Sequence, residues 1–277
     1  MMTFGSLFSG IGGIDLGLER AGLKCVWQSE IDPFACQVLA KHWPNTPNLG
    51  DIREIDWTTV DRADVVAGGY PCQPFSHAGV RRGEEDPRHL WPLFAECLRV
   101  VRPRYALMEN VAGHLSLGFG SVLADLAAPG YDARWDCVPA AAVGAPHLRD
   151  RVFVIARDAG TERRRPMADG DDSGSFDTLR TGWDAPWDGG SNVAHADGRR
   201  LEASEGQALR VLGHADARRN CSGTPSGGHR WAPEPGVGRV ADGIPRRLDR
   251  LRGLGNAVVP QVAEHVAGII IRMETLT

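Results

Sequence analysis

Apolar positions in the first 157 residues fall into two alternating textures. Short apolar runs closed by turn residues predict buried strands at Thr3 to Phe8, Cys25 to Ser29, Asp64 to Ala67 and Tyr105 to Met108, with Gly50-Asp51-Ile52 ending one more. Tyr131 to Ala140 and Arg151 to Ala156 predict a later strand pair. Between them the spacing turns helical: Ile14, Leu16, Leu18 and Ala21 up to Gly22, then Pro33 to Trp43 with Phe34, Val38 and Leu39 on one side, then Leu90 to about Val101. Strand and helix in alternation predict an α/β fold with a doubly wound sheet, which places its chemistry beyond the C-terminal ends of the strands. From about Asp158 to Pro235 the pattern fades into Gly, Asp, Arg and Ser, a composition that buries little on its own. Three imperfect echoes there, spaced 38 and 19 residues apart, each end in paired arginines, at 163–164, 199–200 and 218–219. Pro260 followed by Val262, Val266, Ile269 and Ile270 predicts a last amphipathic helix. An irregular stretch at 158–236 thus separates residues 1–157 from 237–277.

Composition narrows this picture without redirecting it. A chain of 277 residues, 42% hydrophobic and 24% charged, suits one large domain and a smaller one, and no apolar run in it reads as long enough to cross a membrane. The start lacks the basic then apolar order of a signal peptide, which points to the cytoplasm. Six cysteines stand singly, with no CxxC pair and no Cys/His cluster, so reduced thiols are expected and a metal site is not. A net charge of −4 does not advertise nucleic acid, so any such footprint must be local.

Candidate chemistry gathers at the predicted strand ends. Ser9-Gly10-Ile11-Gly12-Gly13 joins a strand to a helix, a cradle where glycines admit close backbone approach and a helix N-terminus offers free N–H groups. The spacing is not the dinucleotide GxGxxG. Glu30, after the second strand, suits ribose hydroxyls, or is a solvated strand-end carboxylate. Gly69-Tyr70-Pro71-Cys72-Gln73-Pro74 follows the Asp64 run, and the prolines restrict the backbone around a presented thiol. Glu109 follows Met108, where desolvation would raise a carboxyl pKa toward that of a neutral-pH proton donor. The charged loop from Gly79 to Arg88 and the Arg149-Asp150-Arg151 cluster read equally as solvated surface.

The stretch around Cys72 resembles the nucleophile loop of the DNA cytosine-5 methyltransferases, and five further stretches match that family in order, over 3–156 and about 237–272. The resemblance implies a Rossmann-like S-adenosylmethionine-dependent methyltransferase sheet in a catalytic and cofactor-binding domain of 1–157 with 237–277, and a small, irregular target-recognition domain at 158–236. By position it implies cofactor contacts at Phe8, Ser9, Gly10, Gly12, Glu30, Ile31, Asp51, Ile52, Pro71, Leu90, Asn256 and Ala257. Cys72 would attack cytosine C6, Glu109 would protonate or hydrogen-bond N3, and Arg149 and Arg151 would orient the base and Glu109. Gln73, Ser76, Asn110, Val111, Arg81 and Arg82 would contact DNA, with Arg88 a further candidate. His147 stands where the family pattern has Gln. The implied reaction converts S-adenosylmethionine to S-adenosylhomocysteine on a cytosine flipped from double-stranded DNA. The enzyme would be monomeric, away from membranes and not physically bound to any cognate restriction endonuclease, in a bacterial cell or phage-infected host. A tRNA cytosine-5 methyltransferase on the same fold, a catalytically silent DNA-binding relative and a cysteine hydrolase are the rival readings.

Overall fold

The computed structural model describes residues 1–71, 90–116, 118–145, 147–160, 192–194 and 246–276. In chain order these form β1 (Thr3–Leu7), α1 (Gly13–Arg20), β2 (Lys24–Ser29), α2 (Pro33–His42), β3 (Val65–Gly69), α3 (Trp91–Val101), β4 (Tyr105–Val111), α4 (Phe119–Ala127), β5 (Tyr131–Pro139), β6 (Asp150–Asp158), β7 (Asn192–Ala194), α5 (Arg247–Asn256) and α6 (Pro260–Leu276). The strands make one sheet in the order β2-β1-β3-β4-β6-β5-β7. The first four are parallel, and β6, β5 and β7 continue the sheet in antiparallel pairings. Successive residues of a strand face opposite ways. Val66, Ala106 and Met108 therefore pack with Trp91, Phe94 and Leu98 of α3 and Val122 and Leu126 of α4. Val65 and Leu107 pack on the other face with Ile14 and Leu18 of α1 and Val262, Val266 and Ile270 of α6. Apolar residues on both faces explain why these strands read as continuous runs.

Local chemistry sets the element ends. Asp32 Oδ1 caps α2 by accepting from Phe34 N and Ala35 N at 3.0 and 2.9 Å, and Pro33 occupies the first helical position. Glycine matters most in α1, which lies hard against α6: a Cβ on Gly17 would stand 2.5 Å from Pro260 O and from the Ala263 methyl, and one on Gly13 would collide with Val258 O. Arg104 Nη2 and Tyr105 Oη reach Glu274 at 2.5 and 3.3 Å, pinning the far end of α6 to the start of β4.

Several expectations are corrected. Gly50-Asp51-Ile52 ends no strand. Asn48 makes a single bridge with Gln28, and its side chain accepts from Glu30 N and Gly50 N, so local side-chain bonds replace a ladder. The strand through Tyr105 runs on to Val111, because β6 pairs with it through Val111↔Arg151, so Glu109 lies within the strand and not past its end. The chain from Arg247 to Asn256 is a helix that the apolar pattern does not predict, and it ends at Ala257 (φ −65°, ψ 142°). Helix α4, led by left-handed Gly118, had not been anticipated. The stretch Leu248–Thr275 contains a window long and apolar enough to cross a membrane. It is broken at Ala257, however, and Val262, Val266 and Ile270 of its second half are core.

Candidate active site

Because β1, β2, β3 and β4 run the same way, the residues after them share one edge of the sheet, and the start of antiparallel β6 joins that edge. The direction of connection reverses between β1's two neighbours, the switch point where open α/β sheets leave a crevice.

Beyond β1 the chain turns through Phe8 (φ 53°), Gly10 (φ 56°) and Gly12 (φ 83°), all left-handed, before α1 begins. Phe8 holds a conformation that disfavours its side chain, a form of strain that clusters at ligand sites. Its ring packs 6.4 Å from that of Phe94. Glu30 organises the loop: Oε2 accepts from Gly10 N at 2.7 Å, and Oε1 accepts from Ile31 N and Asp32 N at 2.7 Å each. Ile31 is 60% exposed beside it. Ser9 is buried. Asp51 pairs with Arg53 at 3.2 Å, and Ile52 is buried. Leu90 is half-buried at the head of α3.

Beneath that loop lies a polar network absent from the sequence reading. Asp15, fully buried on α1, accepts from Ser6 Oγ at 3.0 Å and Gln28 Nε2 at 2.7 Å, and Ser9 Oγ reaches Ser6 Oγ at 2.9 Å. Burial outweighs these bonds and raises its pKa to about 6. The signal was a single acid on the helical face that carries Ile14 and Leu18.

At the ends of β3 and β4 the structure assembles an acid site. Glu109 is 9% exposed, and Arg151 Nε meets its Oε1 at 2.8 Å. Loss of water raises the Glu109 pKa to about 7, against the lowering pull of Arg151, then Arg149. Gly69 makes room: a Cβ there would lie 2.7 Å from Glu109 Oε2. The carboxyl is thereby set against the backbone two residues before Pro71. Asn110 Nδ2 donates to Tyr70 O at 3.2 Å, tying β4 to the same turn, and Val111 N is capped by Asn110 Oδ1. Pro71 is half-buried at this edge.

The two arginines expected to act together part company. Arg151 takes Glu109, whereas Arg149 Nη2 donates to Gly255 O at 2.8 Å and Ala257 O at 2.6 Å. Ala257 is half-buried and Asn256 exposed at this turn. His147 is exposed. Cys72, Gln73, Ser76, Arg81, Arg82 and Arg88 lie outside the described residues, as do most of 158–236 and its paired arginines. Among the described residues no group of three or more His, Cys, Asp or Glu could hold a metal ion.

Comparison with known proteins finds that residues 2–178 match the C-5 cytosine-specific DNA methylase family. The type II methyltransferase M.Eco47II of Escherichia coli is 34% identical over 222 residues, covering 74% of this chain and 51% of that protein. M.MspI of Moraxella sp is 36% identical over 160 residues, covering 55% and 38%. The chain thus spans about half the length, or less, of the first curated relatives it matches. A solved E. coli structure titled as a prophage-encoded DNA modification methyltransferase superposes with a TM-score of 0.51 at 27% identity, over 58% of this chain and 48% of that one. A mutant Spodoptera frugiperda DNMT2 shares the fold, with a TM-score of 0.51 at 24% identity over 62% and 54%.

Proposed function

We propose, from the premise that this chain belongs to the C-5 cytosine-specific DNA methylases, that it methylates C5 of a cytosine within a specific sequence of double-stranded DNA. The observation that carries this reading is Glu109: a buried carboxyl with a pKa of about 7, bonded to Arg151 and fitted against Gly69, three residues before Cys72 in the sequence. A group that holds its proton near neutrality serves to donate it.

The cytosine ring is too weak a nucleophile at C5 to be methylated directly. Addition of the Cys72 thiolate to C6 makes C5 electron-rich, and Glu109 delivers a proton or hydrogen bond to N3, where the displaced charge accumulates. Once C5 carries the methyl group its proton passes to solvent water, C5=C6 re-forms as the C6–S bond breaks and Cys72 leaves as thiolate, and N3 returns its proton to Glu109. Arg151 holds the Glu109 carboxyl through Nε, its planar guanidinium steadied by Nη1 donating to Asp150 O. A base inside a duplex cannot reach this edge, so the cytosine is extruded, at a cost on the order of a few kcal/mol.

S-adenosylmethionine, when bound, supplies an electrophilic methyl on its sulfonium. The residues past β1 and β2 fit such a group: a left-handed turn with little side-chain bulk, the first N–H groups of α1, a carboxylate with acceptor capacity beyond its three N–H partners, and an exposed Ile31 as an apolar face for a purine. Phe8, Ser9, Gly10, Gly12, Glu30, Ile31, Asp51, Ile52, Pro71, Leu90, Asn256 and Ala257 would line it. Residues 158–236 would read the target, with Gln73, Ser76, Arg81, Arg82, Asn110 and Val111 at the DNA. The protein would act as a cytoplasmic monomer, without stable attachment to any partner endonuclease.

The test is transfer of labelled methyl to mixed-sequence genomic DNA by wild type and Cys72→Ser, followed by bisulfite sequencing. Cysteine-dependent label at C5 in one short sequence is the expected result. Label on tRNA instead, or on neither, overturns the proposal.

A further inference from the structure

We infer that Arg149 is a positioning residue for the cofactor site: its guanidinium holds the C-terminal end of α5, Gly255 to Ala257, as a wall behind the glycine turn that follows β1. This rests on the reading of that turn as the S-adenosylmethionine cradle.

The end of α5 leaves carbonyls without helical partners, as every helix C-terminus does. Here a cation from a distant part of the chain takes them, Arg149 Nη2 donating to Gly255 O at 2.8 Å and Ala257 O at 2.6 Å. A positive group is also favoured there by the helix dipole. The same helix end is pressed onto the cradle from the other side. A Cβ on Gly253 would stand 3.1 Å from Ile11 Cγ2 and 3.5 Å from Phe34 Cε1, and Gly13 lies directly under Val258 O. Residues 253–258 are thus held between the Ile11 turn and the Arg149 side chain, with Asn256 exposed between the two clamped carbonyls.

Arg149 also sits at φ 42°, a left-handed backbone that costs a non-glycine residue energy and persists only where surrounding contacts enforce it. Burial lowers its pKa, as does Arg151. A cation placed in a strained, partly desolvated position and directed at two carbonyls is a clasp rather than surface decoration. The paired arginines therefore divide the labour: Arg151 fixes the proton donor, and Arg149 fixes the cofactor wall.

The experiment measures S-adenosylhomocysteine binding to the full chain by calorimetry, without DNA, for wild type, Arg149→Gly and Arg149→Asn, with thermal unfolding in parallel. Glycine and asparagine both accept the left-handed backbone, and neither can span to the carbonyls. Both variants are expected to bind about tenfold more weakly or worse, the scale of a lost charge-assisted hydrogen bond. Arg149→Lys, with one point donor, is expected to recover part of the loss. A merely structural role would lower the melting temperature and leave the affinity of the folded protein unchanged. Wild-type affinity in either folded variant overturns the inference, while absence of binding by wild type overturns the cofactor reading itself.

Discussion

At the scale of residues, two buried carboxyls set testable pH behaviour. Glu109 must be protonated to donate, so with a pKa of about 7 the methyl-transfer rate is expected to fall as pH rises through that value. Glu109→Gln should remove that limb and lower kcat roughly 10²- to 10⁴-fold. Replacing Arg151 with Leu removes the nearest cation and raises the carboxyl pKa further, so the fall should move to higher pH; a pH–rate profile checks both. Asp15 acts on stability. Its folded pKa, about 6 against an ordinary 3.8, is raised, so its stabilising contribution is full below 3.8 and is lost as pH rises toward 6. Asp15→Asn should therefore cost most in mild acid, and the gap to wild type should narrow by on the order of 3 kcal/mol above pH 6, measured by urea unfolding at several pH values. The acid was legible at Glu109 from the apolar run before it, although β4 carries on past it to Val111. The resemblance implied Arg149 and Arg151 as its partners, but which of them takes the carboxyl was not legible, because the two stand two residues apart in a stretch whose backbone, left-handed at Arg149, breaks any simple alternation.

At the scale of elements, the contact of α1 with α6 shows why the end of the chain matters to its beginning. Gly17 is the closest approach, and a methyl there meets backbone that cannot yield cheaply. Gly17→Ala is expected to destabilise by about 1–3 kcal/mol through overpacking, with weaker binding at the glycine turn as α1 shifts; denaturant midpoints and S-adenosylhomocysteine titration report the two effects. Gly22→Ala is the contrasting substitution. Nothing lies within 4 Å of its Cβ, so only the strain of φ 95° remains. Periodicity revealed most helices within a residue or two, since each buries a stripe against one sheet face. It gave no warning of α4, whose buried Phe119, Val122 and Leu126 follow a glycine-rich lead, nor of α5, where Leu248, Leu251 and Leu254 are exposed and no core face marks a helix.

For the molecule as a whole, α6 closes one of two cores. Removing residues 260–276 would bare Phe4, Val65, Leu107 and Ile155, which that helix covers. Such a truncation is expected to lose cooperative unfolding altogether, seen as a broad thermal transition by circular dichroism. A retained sharp transition would show that α1 alone suffices to cover the face.

The sequence by itself determined most of the strands and helices before Asp158 and the last helix, the buried character of the parallel strands, and the placing of Phe8 to Gly13, Glu30 and Pro71 just past strand ends, with Glu109 near them on the same sheet edge. Those features follow from apolar period and turn chemistry, which act over a few residues. Tertiary structure alone decided that β6 runs antiparallel beside β4 and so brings Arg151 to Glu109, that Arg149 reaches the turn after α5, and that Asp15 lies sealed among Ser6, Ser9 and Gln28. Each of these joins groups far apart in the chain, through strand neighbours that local pattern does not specify. The shifted acidity of Glu109 arises only when the sheet edge removes its water.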